Sequence, residues 1–202
     1  MWTTLVSDSI VEKTMQAFEK NAIHALVVAT KEEAKRKVLE LIPSGVEVFA
    51  MSSVTLQTIG ITQEIDESGK YMSVRKKLMS MNRETQGKEM RQLGATPDWA
   101  IGSVQAVTED GQVLIASQSG SQLPAYANGA NHVIWVVGTQ KIVKNIDEGI
   151  RRIYEHCLPL EGERAKKVYG RAGSSVNKIL IVNKDHVPGR ITLIFVKEVL
   201  GF

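Results

Sequence analysis

Apolar positions in this chain recur at two spacings, and the spacing changes several times along its length. Residues 7–21 (SDSIVEKTMQAFEKN) place Ile10, Val11, Met15 and Phe18 at helical intervals, with Ser7, Asp8 or Ser9 to cap the helix. His24–Ala29 (HALVVA) is an apolar run of strand length. Thr30 then caps a helix with Lys31, Glu32 and Glu33 in its first turn and Ala34, Val38, Leu41 and Ile42 as its apolar stripe. Pro43-Ser44-Gly45 ends it, and Val46–Ala50 (VEVFA) is a second strand. The order α-β-α-β predicts a parallel sheet with crossover helices. The second strand runs into Ser52-Ser53-Val54-Thr55 and a short helix ending at Gly60. Residues 61–77 are polar and weakly periodic. Residues 82–93 read as a helix broken at Gly87.

The stretch from Asp98 to Val143 organises the chain. Two apolar runs, 99–107 and 112–116, flank Glu109-Asp110-Gly111, a strong signal for a tight turn between strands. The second run ends in a small polar loop, Ser117-Gln118-Ser119-Gly120-Ser121-Gln122. A short helical segment near Leu123–Asn128 follows. His132–Val137 is then apolar on both faces, as expected of a strand buried between layers. A polar, glycine-containing loop between strand and helix is where α/β proteins bind small molecules.

Beyond it, 146–156 reads as a helix with Asp147 and Glu148 in its first turn, closed by Pro159. Residues 161–169 read as another helix and 171–175 as a loop. Residues 178–183 and 190–196 read as strands with Pro188-Gly189 turning between them. The whole predicts one domain, 1–202, with a small appended element near 61–95 or 160–178. Strands 24–29, 46–50, 99–107, 112–116 and 132–137 are expected in one mainly parallel sheet with helices on both faces.

Composition narrows the function classes. The chain is 43% hydrophobic and its longest apolar runs are under ten residues, too short for a membrane span. Its first residues lack a basic region and an apolar core, so no signal peptide is expected and a cytoplasmic location fits. A net charge of +3 with 5% aromatics does not point to nucleic acid. Cys157 is the single cysteine, so neither an internal disulfide nor a cysteine-ligated cluster can form within one chain. The four histidines stand in no HxH, HxxxH or HExxH pattern, and no metal site is expected.

No phosphate-loop, dinucleotide or nucleophile-elbow motif is present. The candidates are Glu109 and Asp110 beside the 117–122 loop, the hydroxyl cluster 52–55, and Lys141 after the 132–137 strand. Hydroxyls at a helix start can be a plain cap or, with free backbone N–H groups, an anion site. The basic run Arg75-Lys76-Lys77 reads as a solvated face, with contact to an anionic ligand as the alternative.

The segments MSSVTLQTIG, AVTEDG, SGSQ, VVGTQKIV and GRITLIFVKEVLGF resemble the LUD-domain family, in order and over nearly the whole chain. The resemblance implies a Rossmann-like three-layer α/β/α sandwich similar to ribose-5-phosphate isomerase, glucosamine-phosphate deaminase and the CoA transferases. It also implies a link to lactate (2-hydroxy acid) utilisation beside iron–sulfur and cysteine-rich partner subunits, with a homo-oligomer left open. The cysteine-rich segment of some members is here the cysteine-free RAGSSVNK. In the sugar-phosphate isomerases a hydroxyl-rich loop, an acidic loop, a glycine-rich loop and a lysine build the site. Ser52, Ser53 and Thr55, then Glu109 and Asp110, then Ser117, Ser119, Gly120, Ser121 and Gln122, then Lys141 follow the same order. The lysine of those enzymes' glycine-rich loop is missing. Glu109-Asp110-Gly111 is similar to the Glu-Asn-Gly turn that carries the CoA-transferase nucleophile. Glu109 and Lys141 are therefore the catalytic candidates, and Ser52, Ser53, Thr55, Asp110, Ser117, Ser119, Gly120, Ser121 and Gln122 the ligand-binding ones. The implied ligand is a small anion containing phosphate, carboxylate or CoA, with no cofactor bound within the chain. The expected role is that of a subunit or accessory protein with an anion-binding cleft; the alternative is an isomerase-like or CoA-transferase-like enzyme using Glu109.

Overall fold

Trp135 and Val136 are adjacent in sequence and belong to different cores. A computed structural model of the chain describes residues 2–170 and 172–202. Its strands in chain order are β1 (His24–Val28), β2 (Glu47–Ala50), β3 (Met72–Ser73), β4 (Trp99–Gly102), β5 (Ala106–Thr108), β6 (Val113–Ser117), β7 (His132–Gly138), β8 (Ile142–Val143), β9 (Lys178–Val182) and β10 (Ile191–Val196). The helices are α1 (Asp8–Lys20), α2 (Lys31–Leu41), α3 (Val54–Thr58), α4 (Ile61–Glu67), α5 (Val74–Ser80), α6 (Gly87–Ala95), α7 (Ile146–Arg152) and α8 (Leu158–Tyr169).

The main sheet has the order β1-β10-β7-β4-β2-β3, and every neighbouring pair is parallel. Alternation along β7 and β10 sends Val133, Trp135, Val137, Leu193 and Phe195 to one face, against Val11 and Phe18 of α1. Ile134, Val136, Ile194 and Val196 go to the other, against Ala34 and Val38 of α2 and Leu56 of α3. The chain is thus a three-layer α/β/α fold, as the alternating pattern and the resemblance both implied. The expected caps form where the hydroxyl can reach: Thr30 accepts from the Glu33 N–H at 3.2 Å and Ser53 from the Leu56 N–H at 3.4 Å.

Three expectations fail. The run 99–107 is not one strand, and 112–116 is not in the main sheet. The run breaks between Gly102 and Ala106, and β5 and β6 form an antiparallel hairpin in a second sheet of order β8-β5-β6-β9. Val104 stays buried across the break, so the apolar pattern continues through it. Pro159 does not close the helix that precedes it either. The chain widens into a π turn at Ile153–Cys157, and α8 continues with the proline in its first turn. A wide turn tolerates a residue without an N–H.

The segments expected as β9 and β10 do form, and they part company at Pro188-Gly189. β9 pairs with β6 in the second sheet, while β10 enters the main sheet between β1 and β7. Among the described residues no helix is long and apolar enough to cross a membrane.

Candidate functional site

β2 and β4 stop at Ala50 and Gly102, and the chain leaves the sheet at both points. Outside these carboxyl ends lies a cleft of about 500 Å³. Ligands of open α/β sheets bind in such crevices. The break in the 99–107 run forms part of its floor, through Ser103, Val104 and Gln105.

The deepest charged group in it is Lys141. β7 delivers it through a 3-10 turn, Thr139–Lys141, in which all three residues are buried. Lys141 is 2% exposed. Its Nζ donates to Ser103 Oγ at 3.1 Å, the Val104 carbonyl at 3.2 Å and Thr55 Oγ1 at 3.3 Å. Loss of water around the ammonium, followed by repulsion from Arg152, brings its pKa down to about 7. Arg152 is itself fully buried. It donates to the Gln105 carbonyl and to Cys157 Sγ, while its Nε and Nη2 find no partner among the described residues. Burial pushes the Cys157 thiol up despite the two neighbouring cations.

The walls come from both loops that the sequence singled out. Ser52, Ser53 and Thr55 line one side and Ser117, Ser119, Ser121 and Gln122 another. Ser117 Oγ donates to Gln122 Oε1 and accepts from the Gly120 N–H, both at 2.9 Å, which fixes the second loop. The helical segment expected near 123–128 forms, starting at Leu123 and widening into the π turn Ala125–Gly129. Its Tyr126 reaches under the sheet end, where a Cβ at Gly102 would overlap the phenol oxygen, so only glycine fits. The rim carries Arg75, Arg83 and the bidentate Arg164–Glu161 pair at 2.7 Å. Among the described residues the lining, with Lys141, holds four basic side chains and one acidic one, a setting that favours an anion.

Three expected site residues lie elsewhere. Glu109 faces α1 and pairs with Lys13 at 2.8 Å, and neither it nor Asp110 lines the cleft. The turn packs against α1 because Gly111, at φ +80°, lets its backbone touch Ala17 and Phe18, and Asn21 Nδ2 donates to the carbonyls of Asp110 and Gly111. This is the position of an ordinary turn residue, outside the reach a catalytic base needs. Gly120 shapes its loop and packs on Lys178 instead of lining the cleft. Glu109→Gln is therefore expected to leave the melting temperature and any ligand-induced shift nearly unchanged, as thermal denaturation with and without ligand will test.

Sequence reading missed Ser103, Arg164 and Tyr126, and gave Arg75 a ligand contact only as the alternative to a solvated face. Ser103 sat inside an unbroken apolar run, and Arg75 within a basic run read as solvated. Lys76 and Lys77 of that run are indeed exposed, while Arg75 turns inward toward Asp66 at 3.7 Å. No short motif marks any of the four. Among the described residues, no group of three or more His, Cys, Asp or Glu side chains is gathered to hold a metal ion.

Comparison with known proteins gives two findings. The sequence profile described as "LUD domain" matches residues 11–196. The fold is similar to a crystal structure of a DUF162 family protein from Deinococcus radiodurans, with a TM-score of 0.59, 12% identity, and coverage of 96% of this chain and 99% of that one. No curated protein matches the chain.

Proposed function

Because the chain belongs to the LUD-domain family and carries this cleft, we propose that it binds a small carboxylate- or phosphate-bearing ligand there. Lys141 stands at the floor and the 52–55 and 117–122 loops form the walls. The single observation that carries this reading is the convergence of both hydroxyl loops on one buried lysine. Hydroxyl and N–H donors with a cation beneath them match the oxygens of such a group. The setting is the utilisation of lactate or a related 2-hydroxy acid, in which the chain works beside iron–sulfur and cysteine-rich partner subunits. A reaction through Glu109 is not part of this proposal, since that carboxylate pairs with Lys13 outside the cleft.

Thermal shift with lactate, pyruvate, inorganic phosphate and CoA tests it. A ligand that occupies the cleft at a hundred times its Kd stabilises by about 2.7 kcal/mol, which for a chain of this size raises Tm by roughly 5–10 °C. The expected result is such a rise for at least one of the four in the natural protein and none in Lys141→Met. No rise with any of them in the natural protein defeats the reading.

A further inference from the structure

The hydrogen-bond partners of Lys141 Nζ are all neutral oxygens, two hydroxyls and one backbone carbonyl, and the nearby charge of Arg152 is of like sign. Among the described residues no carboxylate pairs with it. Buried lysines ordinarily have a counter-ion, because an unpaired buried charge is costly. A shell of this kind suits an amine that spends part of its time uncharged. A neutral amine has two N–H groups and one lone pair. Thr55 and Val104 can take the two donors. The Thr55 hydroxyl proton is already directed to the Leu200 carbonyl at 3.2 Å, so the Thr55 oxygen is left as an acceptor. The Ser103 hydroxyl can turn its proton to the lone pair. The same three groups thus satisfy the ammonium and, with a turn of the Ser103 hydroxyl, the free amine. The lysine lines the cleft beside Ser103, and the cationic rim, Arg75 and Arg83, would draw in an anion.

We propose that Lys141 captures carbonyl compounds: its Nζ adds to the aldehyde or ketone carbon of an anionic substrate seated in the cleft and forms an imine. This rests on the anion-binding reading above. In the first step the nitrogen lone pair makes the C–N bond and the carbonyl π pair moves to oxygen. One N–H proton passes to that oxygen, with the Ser103 hydroxyl placed to relay it. In the second step the C–O bond breaks, the hydroxyl leaves as water with the remaining N–H proton, and the C=N bond forms. No oxidant, reductant or metal is consumed. The substrate class is a 2-oxo acid or a phosphorylated aldehyde or ketone. The lowered pKa of Lys141, about 7, keeps a large share of the amine free near neutrality. A counter-ion would abolish that property, which accounts for its absence.

The experiment is reductive trapping. The full chain is incubated with glyoxylate, or with glycolaldehyde phosphate, in the presence of sodium cyanoborohydride, and the peptides are mapped by mass. The expected result is a reduced adduct on Lys141 at an occupancy about tenfold or more above any surface lysine, since ordinary lysines are almost wholly protonated at neutral pH. Its yield should rise between about pH 6 and 8, and Lys141→Arg should lose it. Labelling spread over surface lysines with Lys141 unmodified overturns the proposal, and that readout needs no variant to fold. Thermal shift with glycolate and inorganic phosphate, anions without a carbonyl, separates the two readings. If they stabilise the protein while Lys141 stays unmodified, the imine chemistry is wrong and the anion cleft stands. If Lys141 is labelled while neither stabilises, the imine chemistry stands and the anion cleft is wrong.

Discussion

Arg190→Met is expected to lower the unfolding free energy by about 3–5 kcal/mol, the usual loss when one partner of a buried, hydrogen-bonded ion pair is removed. For a chain of this length that corresponds to a fall in Tm of roughly 6–20 °C. Arg190 is 8% exposed and spends its guanidinium on three neighbours. It meets Asp185 at 2.6 and 2.9 Å, the Tyr126 carbonyl at 2.9 Å and the Ala130 carbonyl at 3.1 Å. Methionine matches its stem but takes the Arg190 donors away from the buried Asp185 Oδ2 and from two carbonyls. The π turn that carries Tyr126 to the cleft loses its anchor at the same time. Burial pushes the Asp185 carboxyl up, but hydrogen bonds from Arg190 and the Val187 N–H, with the charges of Arg190 and His186, outweigh it and hold the pKa below the ordinary value. A depressed carboxylate adds stability above its unfolded pKa and loses it as the pH falls through the folded one. The natural protein should therefore lose this increment in the acid range below about pH 4, and Arg190→Met should lack that slope. Denaturant midpoints measured against pH read both effects. Equal midpoints for the two proteins at neutral pH would show the anchor to be dispensable.

Lys141→Met is expected to fail in ligand binding and yet to unfold at a higher denaturant concentration than the natural protein at pH 6. The folded state holds this lysine at a pKa of about 7, against 10.5 for the ordinary group. Between those values the unfolded chain binds the proton that the folded chain has released. Stability of the natural protein must then rise with pH across that window. Below pH 7 the full cost of burying the ammonium applies, on the order of a few kcal/mol, and methionine removes it. The advantage of the variant should shrink as the pH rises from 7 toward 10.5. A constant difference between the two proteins over that range would mean that the lysine titrates normally. A residue that destabilises the fold and is kept at the floor of a cleft has the profile of a functional group.

The sequence was most informative where periodicity and burial coincide. β1, β2, β7 and β10 are apolar runs of strand length, and their parallel order follows from the helices between them. Lys141 was legible as a lysine just after a buried strand. Its shell was not, because Ser103 and Val104 sit inside a run whose apolar pattern does not stop where the strand does. Glu109 misled for a related reason. A turn seven residues ahead of a polar loop can fold over that loop or away from it, and the choice is made by α1. Gly111 nests on Ala17 and Phe18, and Lys13 captures the carboxylate. These contacts join residues far apart in the chain, and nothing local encodes them.

The position of β10 bears on how the molecule is made. β1 and β7 are not hydrogen-bonded to each other; each pairs with β10, which comes last in the chain. A ribosome working from the amino end therefore releases two separate half-sheets, β1 alone and β7-β4-β2-β3, each with an open edge. No six-stranded sheet exists until Ile191–Val196 has been synthesised and has entered the gap. Such long-range, late closure is the slow kind, and until it happens the two open edges are templates for pairing with other chains. The strand that unites the native sheet is thus also the one for which the nascent chain must wait.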